Sequence, residues 1–189
     1  AGLIERRRGA GSVVRGGVRN GAPLTVDFAN LAAHLADMGA RTTARLRAFN
    51  YVPAPPPVAA TLGLAPGATV QRSVRVRFVE GAPFSHLTTH VPEDVAERVS
   101  EADLATTPLY VLLERGGVAL DRARQSVTAT LAEPETAEAL GVATGAPLLS
   151  LTRVVFDAEG RGVEHLAALY RPDRLRFDME LSRVGEGAA

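Results

Sequence analysis

Residues 70–92, VQRSVRVRFVEGAPFSHLTTHVP, have the pattern of two β-strands joined by a tight turn. Apolar and polar residues alternate along the first half, which is the two-residue period of a strand with one buried face. Residues 80–83 have the composition of a turn, and residues 84–91 supply the return strand. The sequence therefore predicts an antiparallel hairpin here.

Two arginines of the first strand, Arg75 and Arg77, are two residues apart and must project from the same face. Neighbouring guanidinium groups can hold a small anion, because each presents a rigid fork of N–H donors. The alternative is that both arginines lie on the solvated face of the hairpin. The hairpin taken alone favours this alternative.

Composition limits the classes of protein to consider. Of the 189 residues, 46% are hydrophobic and 22% are charged, which is typical of a soluble globular domain. The sequence has no apolar run of membrane-spanning length, and it lacks Cys, which is consistent with the cytoplasm. A net charge of zero argues against nucleic-acid binding by the whole chain. Lysine is absent throughout, so the choice of arginine at one position is not evidence for anion recognition.

An internal repeat extends the hairpin pattern to the whole chain. Residues 62–68, LGLAPGA, recur at 140–146 as LGVATGA. Further along, residues 75–76 match residues 153–154. After a one-residue insertion, His86-Leu87 matches residues 165–166. The repeated unit is strand, short helix, turn, strand, hairpin and strand. Two copies predict an α+β fold with about six antiparallel strands in one sheet and helices mainly on one face.

Helices are also predicted outside the repeat. One follows Asp27, with its apolar face at residues 28–38, and another begins at Glu93. A further helix is expected to have Thr107 as its N-cap, Pro108 at its first position and an end before Gly116. The free N–H groups at such a helix start can bind an anion.

The N-terminal residues have a different charge. Arg6, Arg7 and Arg8 precede a glycine-rich tip, and residues 2–15 have a strand–turn–strand pattern. This segment resembles the wing of the winged-helix domain in GntR-type regulators, whose basic tip lies against DNA. The resemblance implies a wing at residues 1–15, a linker at 16–27, and a DNA-binding domain mostly absent from this sequence.

Residues from about 28 to 183 resemble the UTRA effector-binding domain of the HutC branch of GntR regulators. The supporting motifs are Val-x-Arg-x-x-Arg-x-Arg-x-x-x-Gly-x-Pro at 70–83, Val-Glu-His at 163–165 and Tyr-Arg-Pro-Asp-Arg at 170–174. The resemblance implies the antiparallel sheet and flanking helices of chorismate lyase, and a homodimer.

The resemblance also implies roles for five residues. Arg75 and Arg77 would hold the anionic group of an effector, and the helix start at Thr107 would add donors. Glu164 and Tyr170 would hold the polar body of the effector. They are six residues apart on one strand and so share a face.

One side of the predicted effector site departs from the family pattern. Ser85 and Leu87 lie on the return strand, and Leu87 occupies a position where the family often has a carboxylate. Many sugar hydroxyls would be left unpaired against Leu87. We therefore expect an effector with an acidic group and a more apolar body.

The sequence thus predicts a ligand-sensing domain that is not an enzyme. Its expected partners are a small anionic effector, operator DNA through the winged-helix domain, and a second copy, with no membrane association. No cofactor motif or catalytic motif is present, and His86 and His90 are too far apart on a strand to chelate a metal easily. Two alternatives remain open: a chorismate-lyase-like enzyme acting on a small carboxylic acid, and a module that only dimerises.

Overall fold

The computed structural model describes residues 4–7, 11–14, 24–27, 41–97 and 99–178. In chain order the elements of these ranges are β1 (Ile4–Arg7), β2 (Gly11–Val14), β3 (Leu24–Asp27), β4 (Thr43–Pro53), α1 (Pro56–Leu62), β5 (Thr69–Val79), β6 (Ala82–Pro92), α2 (Glu93–Ala96), α3 (Glu101–Thr106), α4 (Leu109–Arg115), β7 (Leu120–Leu131), α5 (Pro134–Leu140), β8 (Pro147–Asp157), β9 (Gly162–Tyr170) and β10 (Leu175–Asp178). No helix of the described ranges is long and apolar enough to cross a membrane.

The main sheet has six antiparallel strands in the order β4-β5-β6-β9-β8-β7. The hairpin predicted at residues 70–92 is confirmed as β5 and β6. Glu80 and Gly81, at its tip, have φ angles of 50° and 75°. Positive φ at both positions matches the right-handed twist of the two strands, and glycine adopts it without steric cost. The six-stranded α+β prediction is therefore correct.

The repeat is visible in the backbone. The units β4-α1-β5-β6 and β7-α5-β8-β9 follow the same path, and both helices end at a left-handed glycine. Gly63 has φ 70° after α1, and Gly141 has φ 62° after α5. The two units meet at β6 and β9, where Thr88 pairs with Ala167. These two residues are equivalent in the repeat, so a pseudo-two-fold axis passes between them.

Helices cover both faces of the sheet. On one face, α1 places Val58 and Leu62 against Phe156 of β8. On the other face, Leu113 of α4 packs with Val91 of β6. The expectation of helices mainly on one face is thus wrong for the described helices. The reason is that the connection from β6 to β7 must pass over β9 and β8, and α1 and α5 already occupy the opposite face.

The connection between the two units contains one helix more than expected. This helix, α3, is capped by Ser100, whose Oγ accepts a hydrogen bond of 3.1 Å from the Asp103 N–H. Thr107 is not the N-cap of α4, because it is the C-cap of α3, where its N–H donates to the Asp103 carbonyl at 2.8 Å, and α4 begins only at Leu109. Pro108 precedes α4 instead. A residue before proline is disfavoured in the helical conformation, which explains why Thr107 ends α3.

Short strands lie outside the main sheet. β1 and β2 pair antiparallel, as the strand–turn–strand pattern at the N-terminus predicts, and their assignment to a wing stays a prediction. β3 pairs in parallel with β10, so the last four residues of the predicted linker form a strand. Arg8, most of the linker and the helix predicted after Asp27 lie outside the described residues.

Candidate functional site

A cleft lies between the main sheet and the start of α4. Its lining residues come from four neighbouring strands and from the helix start, and they are Arg75, Arg77, Leu87, Pro108, Leu109, Tyr110, Arg153, Glu164, Leu166 and Tyr170. An adjoining recess also contacts both β5 arginines and includes Thr107 and the first residues of β4. Since these strands are adjacent and in register, their inward side chains meet over one patch of the sheet.

The structure brings most of the predicted site residues together. Arg75, Arg77, Leu87, Glu164 and Tyr170 line the cleft itself. Ser85 is fully buried on the same face, paired on one side with Arg77 and on the other with Tyr170, and Thr107 lines the recess. Arg6 and Arg7, which the sequence assigns to a wing, lie in β1, and this assignment stays a prediction.

Arg75 is buried with an incomplete set of partners. Its side chain is 4% exposed, and its Nε has no hydrogen-bond partner among the described residues. Burial lowers the pKa of Arg75 to about 10, and Arg77 adds to this effect while Glu164 opposes it. The guanidinium therefore stays charged at neutral pH inside the protein. The alternative of a solvated face for this arginine is wrong, because the β6–β7 connection covers it.

Arg77 connects the cleft to the start of β4. Its Nε donates a hydrogen bond of 3.0 Å to Thr42 Oγ1, and its Nη2 donates to the same oxygen. Burial lowers the pKa of Arg77, and Tyr170 opposes this. Because Thr42 lies immediately before β4, the position of Arg77 is tied to the segment that enters the sheet from the N-terminal side.

Glu164 and Tyr170 supply the polar groups of the β9 wall. Burial raises the pKa of the Glu164 carboxyl, an effect that Arg153 and Arg75 oppose. Burial also raises the pKa of the Tyr170 hydroxyl. Tyr170 is therefore a protonated donor at neutral pH, and its ring is held by Phe177 at a centroid distance of 6.0 Å.

Arg153 is a cleft residue to which the sequence analysis gave no role. It is 5% exposed, and its Nε donates a hydrogen bond of 2.7 Å to Gln125 Oε1. The repeat contained the signal, because it aligns Arg153 with Arg75. Equivalent positions in the two units face the same side of the sheet, so both arginines had to reach this cleft.

The described residues that line the cleft carry more positive than negative charge. Three guanidinium groups line it, whereas Glu164 is the one carboxyl among the lining residues. Leu87, Leu109 and Leu166 supply apolar surface between these charges. Such an arrangement can hold a small acid, since an anion compensates buried positive charge and an apolar body covers the leucines.

Comparisons with known proteins identify the family of this chain. A family model described as the UTRA domain matches residues 37–176. The transcriptional repressor NagR of Bacillus subtilis is 27% identical over 187 residues, which are 97% of this chain and 74% of NagR. The transcriptional repressor PhnF of Mycolicibacterium smegmatis is 28% identical over 176 residues, 93% of this chain and 70% of PhnF.

Solved structures show the same fold. A candidate transcriptional regulator from Streptomyces coelicolor is 37% identical, with a TM-score of 0.69 over 72% of this chain and 90% of that chain. The crystal structure of PhnF from Mycobacterium smegmatis gives a TM-score of 0.77 at 24% identity, covering 96% of this chain and 79% of that chain. The expected chorismate-lyase-like α+β fold is therefore confirmed.

The pKa of Glu164 yields a testable consequence for stability. Because burial raises this pKa, the wild type is fully stabilised below the unfolded carboxyl's pKa and loses stability as pH rises through the folded pKa. We expect Glu164→Gln, which stays neutral, to be more stable than wild type at about pH 7 and equally stable at about pH 4. Thermal unfolding at both pH values measures this, with the exposed Glu138→Gln as the control. A less stable Glu164→Gln at neutral pH would contradict it.

Proposed function

The chain belongs to the UTRA domain family, and we propose that it senses a small anionic metabolite for a GntR-type transcription regulator of the HutC subfamily. Its curated relatives are named as transcriptional regulators and repressors, which places the chain in regulation and not in catalysis. The observation that carries the proposal is the buried cleft with three guanidinium groups, of which Arg75 has an Nε without a hydrogen-bond partner among the described residues.

The proposed effector is an acid with an apolar body. Its acidic group would accept hydrogen bonds from Arg75 and Arg77, with Thr107 beside them in the recess. The buried Ser85 Oγ, which has no hydrogen-bond partner among the described residues, lies next in register to Arg77. Leu87 supports an apolar body, because it pairs directly with Arg75 and offers no hydrogen bond.

Polar contacts to the body of the effector would come from β9. Glu164 and Tyr170 are both buried and line the same cleft. The neutral Tyr170 hydroxyl can donate, whereas Glu164 can accept when ionised or donate when protonated. These groups would orient the effector, and they would select among acids that bind the arginines equally well.

The proposed response reaches DNA through the N-terminal side of the domain. Effector binding at Arg77 would act on Thr42, which accepts its hydrogen bond immediately before β4. A change there would re-space two winged helices on operator half-sites, with Arg6, Arg7 and Arg8 at the wing. We also propose a cytoplasmic location, because a regulator that binds operator DNA must reach that DNA.

The switching mechanism requires a homodimer, and β7 is the surface we propose for it. This edge strand has twelve residues, most of them exposed, including Val127 at 40% and Leu131 at 65%. An edge strand has unpaired N–H and C=O groups that a second copy can pair with about a two-fold axis. The other edge strand, β4, is packed against α3 instead.

We expect the wild type to sediment as a dimer at tens of micromolar, and the double variant Val127→Lys, Leu131→Lys to sediment as a monomer. The physical reason is that two like charges at a self-complementary strand edge repel their copies in the partner. Sedimentation equilibrium measures the mass, and Tyr51→Lys on β4 is the matched control, expected to stay dimeric. A monomeric wild type, or a dimeric double variant, would show that β7 does not form the interface.

Removal of either β5 arginine tests the effector site. A thermal-shift screen of small acids supplies a ligand, and calorimetric titration then compares Arg75→Ala and Arg77→Ala with wild type. Each charge-assisted contact is worth about 1.5 to 3 kcal/mol, so we expect affinity to fall by about ten- to a hundredfold. Arg72→Ala is the control, since Arg72 belongs to the same strand but faces the opposite side of the sheet. Wild-type affinity in both cleft variants would contradict the proposal.

A further inference from the structure

The cleft has a symmetry that comes from the repeat. Arg75 on β5 pairs in register with Leu87 on β6, and Arg153 on β8 pairs in register with Leu166 on β9. The repeat aligns Arg75 with Arg153 and Leu87 with Leu166. The pseudo-two-fold axis near Thr88 therefore relates one arginine–leucine pair to the other, and all four residues line one cleft.

This symmetry places the guanidinium groups of Arg75 and Arg153 on opposite sides of an apolar surface in the cleft. Strands β5 and β8 are separated by β6 and β9, so their backbones lie roughly 14 Å apart at about 4.8 Å per strand spacing. Leu87 and Leu166 lie on the two intervening strands. Arg75 and Arg153 both reach the cleft from its two sides, so a ligand over the leucines meets a guanidinium at each end.

The Arg153 end also has free donor capacity. A guanidinium carries five N–H groups, and among the described residues only Gln125 accepts a hydrogen bond from Arg153. Glu164 is the carboxyl near it, and this carboxyl also interacts with Arg75. Glu164 is therefore shared between two guanidiniums, and the N–H groups of Arg153 that Gln125 does not use can donate to a second acidic group of the ligand.

We propose that the effector is a small dianion with acidic groups at both ends of a short apolar body. Arg75 and Arg77 bind one acidic group, and Arg153 binds the other across Leu87 and Leu166. The proposal rests on the proposed function and names the ligand class for the same site. It also makes Arg153 a specificity-determining residue.

The two ends are not identical. Arg77 is aligned by the repeat with Val155, so the β5 end has two guanidiniums and the β8 end has one. Glu164 is aligned with Ser85, which places the carboxyl on the side of Arg153. The more highly charged group of the effector therefore belongs at Arg75 and Arg77, and the second group belongs beside Arg153 and Glu164.

The test compares diacids with their monoamides, which have the same length but one charge fewer. Succinate, glutarate and adipate are each titrated beside the matching monoamide into wild type, Arg153→Gln and the control Arg72→Gln. We expect wild type to prefer at least one diacid by about tenfold or more, as one charge-assisted contact predicts. Arg153→Gln is expected to bind that diacid no more than about twofold tighter than its monoamide, while Arg72→Gln keeps the wild-type preference.

Two results would overturn the inference. If no diacid binds wild type more tightly than its monoamide, the cleft does not bind a second acidic group. If Arg153→Gln keeps the wild-type preference for the diacid, Arg153 interacts with Glu164 and does not bind the ligand. Arg75→Ala, titrated with the same acids, tests the proposed function separately. If this variant loses acid binding while Arg153→Gln keeps the preference for the diacid, the anion site is supported and the dianion assignment is wrong.

Discussion

The burial of guanidinium groups between the main sheet and the β6–β7 connection is the interaction on which this structure depends. Removing a charged group from water costs several kcal/mol unless partners compensate it. Among the residues that line the cleft, Glu164 is the one carboxyl beside three arginines, while Gln125 accepts a hydrogen bond from Arg153 and Thr42 accepts hydrogen bonds from Arg77. We propose that an anion completes this site, so that ligand binding would also stabilise the cleft.

The duplication explains why this site lies at the centre of the domain. Each unit contributes a helix, a left-handed glycine and a hairpin, and the two hairpins join at β6 and β9. Side chains at equivalent positions must then converge from both sides on one patch of the sheet. Residues 99–115 cover that patch asymmetrically, and Arg77 and Glu164 break the symmetry further. A repeated scaffold thus becomes a pocket with two distinguishable ends.

Local patterns predicted the sheet well, because alternation, turn residues and a repeat are all properties of short segments. They failed for Arg75, since alternation cannot tell a solvated face from a face that a distant connection covers. Thr107 shows a different limit of sequence-based prediction. Threonine is a favourable N-cap residue, but Pro108 disfavours the helical conformation for the residue before it, and Thr107 therefore ends α3. Arg153 could have been found, because the repeat alone places it opposite Arg75 on the same face.

The most direct measurement of the central claim is the NMR signal of the arginine Nε–H groups, recorded on labelled protein with and without a saturating acid from the screen. The account predicts that the Nε–H resonances of Arg75, Arg77 and Arg153 shift on binding, because each guanidinium gains a charged acceptor. It predicts no shift for Arg72, on the opposite face of β5. Unchanged resonances for the three cleft arginines, or an equal shift of Arg72, would contradict the claim that this cleft is built to receive an anion.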